Sequence, residues 1–125
     1  MNVSFSGCRV LVVEDELLIA LELSRMLQEL GCSVIGHAGS VEKALTLLET
    51  QRPDVVLLDE DLRGQPATPV AEYMRRHRIP FAILSGYDRS LTGAEVLVNA
   101  TRLQKPTPVS AIRDLLKEMW RQSGH

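Results

Sequence analysis

The sequence contains few of the residues that define several large classes of protein. It has two cysteines in 125 residues, Cys8 and Cys32, and their spacing fits neither a zinc site nor a C-x-x-C redox motif. We therefore expect reduced structural thiols rather than a disulfide framework. Oxidation would join the two thiols only if the cysteines begin neighbouring strands of one sheet.

Charge and hydrophobicity exclude two further classes of protein. The chain has 14 Lys plus Arg against 16 Asp plus Glu, with no basic block of the kind that follows a phosphate backbone. No apolar run approaches the ~20 residues that span a bilayer, and the N-terminus lacks a signal-peptide pattern. We expect a cytoplasmic protein that binds neither nucleic acid nor membrane.

What the sequence does contain is an alternation of short apolar runs and amphipathic stretches from residue 8 to about residue 120. This alternation is typical of strand–helix units in a parallel sheet, and the length suits a single domain over residues 1–125. The predicted strands lie at 8–14, 33–37, 54–58, 80–84 and 101–104. The predicted helices lie at 16–30, 41–51, 69–77 and 108–120, with a short one opening at Thr92.

Four local signals set the predicted helix boundaries. Gly31 should end the first helix, and Ser40 should cap the second. Thr68 and Thr107 each precede a proline, which predicts a capping residue followed by a first-turn proline. The last helix should turn an apolar face inward, with Trp120 covering an edge; that face comprises Val109, Ile112, Leu115, Leu116 and Met119.

Carboxylates follow two of the predicted buried strands. Glu14 and Asp15 follow the apolar run at 10–13, and Asp59 follows the run at 55–58. Because ligands of open α/β sheets bind beyond the carboxyl ends of the strands, we expect these acids to form one site. Like charges about 4 Å apart repel by on the order of 4 kcal/mol at an effective dielectric constant near 20. A divalent cation would relieve this repulsion, and oxygen ligands of this kind suit Mg²⁺.

The same edge of the sheet should also receive a hydroxyl and an ammonium. Ser85 ends the fourth predicted strand, and Lys105 follows the fifth, which we place at 101–104 rather than 96–98 because this brings Lys105 to the edge with Asp59. Carboxylates form aspartyl phosphates, and that reaction mainly needs positioning and charge neutralisation. Asp59 is therefore a candidate phosphoryl acceptor, with Ser85 and Lys105 as candidate phosphoryl ligands.

These motifs resemble the receiver domain of two-component response regulators over residues 8 to about 120. The matching segments are VVEDE at 12–16, PDVVLLD at 53–59, DLRG at 61–64, LSG at 84–86 and QKP at 104–106. The resemblance implies a flavodoxin-like, doubly wound α/β fold. Its parallel sheet would have five strands in the order 2-1-3-4-5, with five helices covering the two faces.

The resemblance also implies roles for individual residues. Asp59 would be phosphorylated by a histidine kinase or a histidine phosphotransfer protein, and Ser85 and Lys105 would hold the phosphoryl group. Asp15 would bind Mg²⁺ directly, Glu14 through water, and Asp61 through its backbone carbonyl, with Asp59 as a further ligand. Such a protein is not an enzyme, although it assists its own Mg²⁺-dependent phosphorylation and dephosphorylation.

The chain departs from the common receiver pattern at the position of the conformational switch. Arg102 stands three residues before Lys105, where most receivers have a tyrosine or phenylalanine that swings inward on activation. Residues 81–87, FAILSGY, are similar to the atypical alphaproteobacterial receivers nicknamed FAT GUY, although Ser85 replaces their signature threonine. We therefore assign the switch to Ser85, Tyr87 and Arg102.

The expected output is an altered protein-binding surface. The resemblance places that surface on the short helix near Thr92, the strand at 101–104 and the last helix. The output would act on a downstream protein target or a second copy of the chain. Because no helix-turn-helix or catalytic domain follows, we expect a single-domain regulator.

Two other classes of function also fit parts of the sequence. Residues 57–61, LLDED, fit the nucleophile motif of haloacid-dehalogenase-like phosphatases, in which a second aspartate is general acid and base. That family places its metal-binding acids after the lysine, whereas here the acidic pair comes first. The other alternative is a receiver-like interaction module that is never phosphorylated. Such modules often lose the acceptor aspartate or the lysine, and both are present here.

We predict that Tyr87 and the segment at 86–101 carry the conformational response. Backbone amide chemical shifts of these residues should change when Asp59 is phosphorylated in the presence of Mg²⁺, because Ser85 and Lys105 would be drawn toward the new charge. NMR spectra recorded before and after phosphorylation measure this change. Unchanged shifts across the segment would contradict the prediction.

Overall fold

The computed structural model describes residues 5–85, 101–105, 107–122 and 124. The strands in chain order are β1 (Arg9–Val13), β2 (Ser33–Ala38), β3 (Val55–Asp59), β4 (Asp61–Leu62), β5 (Gln65–Pro66), β6 (Phe81–Ser85) and β7 (Thr101–Gln104). The described helices are α1 (Leu17–Glu29), α2 (Val41–Gln51), α3 (Thr68–Arg76) and α4 (Val109–Gln122). The short helix predicted near Thr92 lies outside the described residues.

The main sheet has five parallel strands in the order β2-β1-β3-β6-β7. This is the 2-1-3-4-5 order that the resemblance implied, because the small antiparallel hairpin β4–β5 takes two of the strand numbers. The predicted strand at 101–104 is confirmed as β7. The chain therefore has the flavodoxin-like, doubly wound α/β fold.

Apolar cores lie on both faces of the sheet. Val10 and Val12 of β1 point into the core that α1 and α4 cover, and Leu11 and Val13 point into the core that α2 and α3 cover. All residues of β3, the central strand, are buried, as expected for a parallel strand covered on both faces. Each inner strand is covered on both faces, so it needs apolar side chains on both. This is why the inner strands appear in the sequence as continuous apolar runs.

Two of the four predicted helix signals are confirmed. Gly31 follows α1 with a left-handed φ of 99°. There the Gly31 N–H donates to the Gln28 carbonyl and the Cys32 N–H donates to the Leu27 carbonyl, which satisfies the last carbonyls of the helix. The Ser40 hydroxyl accepts from the Lys43 N–H at 3.2 Å and caps α2 as expected.

The predicted threonine caps are wrong. Thr68 is already helical, and the residue before it, Ala67, makes no side-chain capping bond. The Thr107 hydroxyl donates to the Gln104 carbonyl at 2.9 Å, so it closes the turn after β7 instead of capping α4. In both cases a proline follows the threonine. Proline has no backbone N–H, so the first turn of the helix has one donor fewer for a capping side chain to bind.

The predicted inward face of α4 is confirmed except at its first residue. Ile112, Leu116 and Met119 are buried. Val109 is 41% exposed, because it begins the helix beside a groove at the carboxyl edge of the sheet. Trp120 is buried in the core of the α1–α4 face.

Cys8 and Cys32 are both buried and unbridged, and they precede the neighbouring strands β1 and β2. The Ser33 N–H donates to the Cys8 carbonyl at 2.8 Å, which joins the two strand starts. A hydrogen bond between the two side chains, together with burial, raises the pKa of the Cys8 thiol. Among the described residues, no helix has the length and apolarity needed to cross a membrane.

Candidate functional site

Three acids meet at the carboxyl edge of the sheet. Glu14 directly follows β1, Asp59 ends β3, and the register pairs Val13 with Leu58, which places Glu14 opposite Asp59. One carboxylate oxygen from each of Glu14, Asp15 and Asp59 lies within 4.8 Å of the others. The convergence expected from the two strand ends is therefore present.

Glu14 is held rigidly at the bottom of this site. Its side chain is fully buried, and its N–H donates to the Ala38 carbonyl at 2.9 Å, which extends the pairing of β1 with β2. Glu14 Oε2 accepts from the Glu16 N–H at 3.2 Å, and Glu14 Oε1 lies 2.6 Å from Lys105 Nζ. A buried carboxylate requires such compensation, because an unpaired charge in the interior is strongly unfavourable.

Asp15 lies at the more open side of the acidic site and is half-buried. Its Oδ2 accepts from the Arg63 N–H at 3.2 Å. Arg63 and Gly64 form the turn between β4 and β5 with left-handed φ values of 54° and 81°. Glycine adopts this conformation without strain, so Gly64 allows the hairpin turn that contacts the acidic loop.

Lys105 places one ammonium between two of the acids. Its Nζ lies 2.6 Å from Glu14 Oε1 and 3.5 Å from Asp59 Oδ2. Burial alone lowers the pKa of this ammonium, but the hydrogen bond to Glu14 and the charge of Asp59 outweigh burial, so the pKa is raised above its ordinary value. Lys105 is therefore a fully charged cation shared by Glu14 and Asp59.

The backbone fixes Lys105 and Ser85 relative to each other. Ser85 is the last residue of β6 and is buried, and its carbonyl accepts from the Lys105 N–H at 2.8 Å. In the neighbouring strand pair, Asp59 is in register with Leu84. Ser85 thus lies one position beyond Asp59, at the edge of the sheet where the sequence placed it. Asp61 begins the β4–β5 hairpin two residues after Asp59.

A second charged pair lies beside the acids and was missed from sequence. Glu60 is buried, and its Oε2 accepts from Arg102 Nη1 at 2.8 Å. One sequence pattern indicated that Glu60 is buried. Glu60 continues the alternation in which Val56 and Leu58 point to the same covered face of the sheet. Arg102, predicted as part of the switch, is thus an ion-pair partner of Glu60. Tyr87, the other predicted switch residue, lies outside the described residues.

Comparison with known proteins agrees with this fold and geometry. The family model "Response regulator receiver domain" matches residues 10–117, so the chain belongs to the response regulator receiver family. The solution structure of SdrG from Sphingomonas melonis Fr1 is 31% identical with a TM-score of 0.80, covering 94% of this chain and 99% of that one. The receiver domain of PhyR from Erythrobacter litoralis is 25% identical with a TM-score of 0.80, covering 94% and 92%.

Curated relatives are longer proteins. The transcriptional regulatory protein PdtaR of Mycobacterium tuberculosis is 34% identical over 82 residues, which cover 65% of this chain and 40% of PdtaR. The sensory transduction protein LytT of Bacillus subtilis is 31% identical over 113 residues, covering 88% and 47%. The chain thus spans less than half the length of these two relatives.

The donor set fits the Mg²⁺ that receiver domains typically bind through acidic residues. Three carboxylates face the single ammonium of Lys105, so negative charge is in excess among these four side chains. Carboxylate oxygens are the hard ligands that Mg²⁺ prefers. Asp15 is the best placed for direct contact, since it is half-buried and carries no basic partner among the described ion pairs.

Asp15→Asn should stabilise the metal-free protein. Removing one of three crowded carboxylates relieves repulsion, and with solvent screening of this half-buried group the gain should be about 1–2 kcal/mol. Urea unfolding in a chelator measures the free energy of unfolding. Millimolar Mg²⁺ should stabilise the wild type more than the variant and close the gap.

Asp114→Asn provides the matched control, because Asp114 is an exposed acid on α4. Its stability should be similar to that of the wild type with and without Mg²⁺. A less stable Asp15→Asn protein in chelator, or a wild type indifferent to Mg²⁺, would contradict the assignment of Asp15 to a metal site.

Proposed function

We propose that this receiver accepts a phosphoryl group on Asp59 from a phosphohistidine and signals through altered protein binding in the cytoplasm. One observation carries the proposal: the Asp59 carboxylate ends β3 between two other acids and the Lys105 ammonium, which lies 3.5 Å from it. Mg²⁺ held by Asp15, Asp59, the Asp61 carbonyl and, through water, Glu14 would supply charge neutralisation.

The chemistry required of the chain is mainly positional. A carboxylate oxygen of Asp59 forms a bond to phosphorus as the bond from phosphorus to the histidine nitrogen breaks, and the departing imidazole takes up a proton. The transferring group carries negative charge on its outer oxygens, so donors that face those oxygens lower the barrier. Lys105 would supply an ammonium there, and Ser85 would supply a hydroxyl from the end of β6.

Phosphorylation should redistribute the contacts of Lys105. A phosphoryl group brings nearly two negative charges and three strong acceptor oxygens. It competes with Glu14 for the ammonium, while the bond from the Lys105 N–H to the Ser85 carbonyl keeps the ends of β6 and β7 together. Movement of Lys105 would therefore be transmitted to both strands.

Such a modification shifts a pre-existing equilibrium between two conformations. The free energy of this shift equals the difference between the interaction energies of the phosphoryl group with the two conformations. We place the altered surface on β7 and α4. A downstream protein or a second copy of the chain would bind there. That the chain acts as a single-domain regulator stays a prediction.

Incubation with a small acyl phosphate and Mg²⁺ should add one phosphoryl group, because such donors replace a kinase when the acceptor site assists its own phosphorylation. Intact-mass spectrometry measures the adduct. Asp59→Asn should abolish it, and so should removal of Mg²⁺. An adduct that persists in Asp59→Asn would contradict the acceptor assignment.

The same experiment separates the two alternatives. Absence of an adduct with steady, Asp59-dependent release of phosphate would favour a haloacid-dehalogenase-like phosphatase. Absence of both the adduct and phosphate release would favour an interaction module that is not phosphorylated.

A phosphohistidine donor has an apolar surface to dock on beside Asp59. A groove of about 640 Å³ lies between α1 and the segment that leads into α4, and Leu18, Val109 and Lys105 are among its lining residues. Leu18 is 81% exposed, and Leu17 and Leu21 on the same helix are also exposed. Because clustered exposed apolar residues mark interaction sites and this groove reaches Lys105, we assign it to the histidine-bearing protein.

Leu18→Glu should slow phosphoryl transfer from a phosphorylated histidine phosphotransfer domain by at least about 10-fold, since a charge in an apolar contact costs more than 1.4 kcal/mol. Labelling by acyl phosphate should be unchanged, because that donor needs no docking surface. Thr46→Glu, an exposed change on α2, is the matched control and should affect neither rate. Equal loss with both donors would show that Leu18→Glu disturbs the acceptor site instead.

A further inference from the structure

The Glu60–Arg102 ion pair joins two strands that are not neighbours. Glu60 follows the end of β3, Arg102 lies in β7, and β6 runs between these strands. Arg102 Nη1 lies 2.8 Å from Glu60 Oε2, so the two side chains meet across the carboxyl end of β6. A sequence separation of 42 residues makes this a long-range link across half of the sheet.

The environment of the pair makes its two charges interdependent. The side chains of Arg102 and Glu60 are 20% and 6% exposed. Arg102 is in register with Ile83, which belongs to the apolar core of the α2–α3 face. Two desolvated charges on an apolar face are tolerated as a pair, whereas removal of one partner leaves the other as an uncompensated buried charge.

The pair is also adjacent to the proposed phosphoacceptor. Glu60 directly follows Asp59, so their Cα atoms are about 3.8 Å apart, and the alternation of the strand turns their side chains to opposite faces of the sheet. Arg102 stands on the same strand that leads to Lys105, whose ammonium contacts Asp59. Negative charge added at Asp59 therefore acts on both members of the pair, repelling Glu60 and attracting Arg102.

We propose that Arg102 is a positioning residue shared electrostatically between Glu60 and the phosphoryl group, so that phosphorylation of Asp59 loosens the Glu60–Arg102 link between β3 and β7. This inference rests on the proposed phosphorylation of Asp59. The link supports β7 in addition to its backbone pairing with β6, and its loosening weakens the hold on the edge strand that precedes Lys105. The Glu60–Arg102 ion pair thus takes the switching role that a tyrosine or phenylalanine has in most receivers.

This role has a signature that simple structural support lacks. If Arg102 attracts the phosphoryl group, loss of its charge weakens phosphoryl binding. If Glu60 competes with the phosphoryl group, loss of its charge strengthens binding. A pair that only supports the fold would give the same direction of change in both cases, because either substitution breaks the same link.

The test is titration of the protein with beryllium fluoride, a phosphoryl analogue, at saturating Mg²⁺. We expect Glu60→Gln to bind it about 5-fold more tightly and Arg102→Gln about 5-fold more weakly, the modest change expected of a single partly screened charge. The double variant E60Q/R102Q should be close to the wild type. Arg102→Lys should restore most of the affinity because it keeps the charge.

A spectroscopic readout is independent of affinity and of variant stability. The Arg102 side-chain Nε–H signal, assigned by its loss in Arg102→Lys, should shift when beryllium fluoride binds the wild type. Glu60→Gln should move the same signal in the absence of the analogue. Arg121→Gln, which removes an exposed arginine paired with Glu118 at the end of α4, is the matched charge control and should leave affinity and signal unchanged.

Failure of the inference and failure of the proposed function give different results. Asp59-dependent binding of the analogue by the wild type, with equal losses in Glu60→Gln and Arg102→Gln or an unmoved Arg102 signal, would overturn the inference and keep the function. No binding of the analogue by the wild type, together with no labelling by acyl phosphate, would overturn both.

Discussion

The contact on which the rest of the site depends is the Lys105 ammonium lying between Glu14 and Asp59. Glu14 is fully buried, and its Oε1 lies 2.6 Å from Lys105 Nζ, so this lysine makes the buried carboxylate tolerable. The longer 3.5 Å distance to Asp59 gives that carboxylate a weaker hold on the same cation. Under the proposed function, new charge on Asp59 would draw the Lys105 ammonium away from Glu14.

The parallel sheet explains why so many charges meet at one edge. Each inner strand contributes an apolar run that must be covered on both faces, and each of these runs ends at or just before a polar residue where the covering stops. Glu14 and Asp59 come from neighbouring strands, and Ser85 and Lys105 come from the next two. The resulting excess of carboxylates opposes stability in the absence of metal, and binding of a cation by these acids would offset that repulsion.

How much of this arrangement could be predicted from sequence depended on the range of each interaction. Asp59, Glu14 and Ser85 were expected at this edge because each closes an apolar run, and the end of a parallel strand defines the edge to which its last residue goes. Lys105 closes no apolar run, and its place followed from choosing the strand at 101–104 rather than 96–98. The strand order came only with the family resemblance, since alternation indicates a parallel sheet without ordering its strands. The Glu60–Arg102 pair was missed because it spans β6, and the threonine caps were wrong because a hydroxyl can donate to a carbonyl as well as accept from an N–H.

The most direct measurement of the central claim is a crystal structure of the protein with Mg²⁺ and beryllium fluoride. Beryllium should be bonded to a carboxylate oxygen of Asp59, and Lys105 Nζ should have moved away from Glu14 Oε1 to contact a fluorine. Beryllium fluoride bound elsewhere, or a Lys105 that keeps its 2.6 Å contact with Glu14, would contradict the proposed role of Asp59 and Lys105.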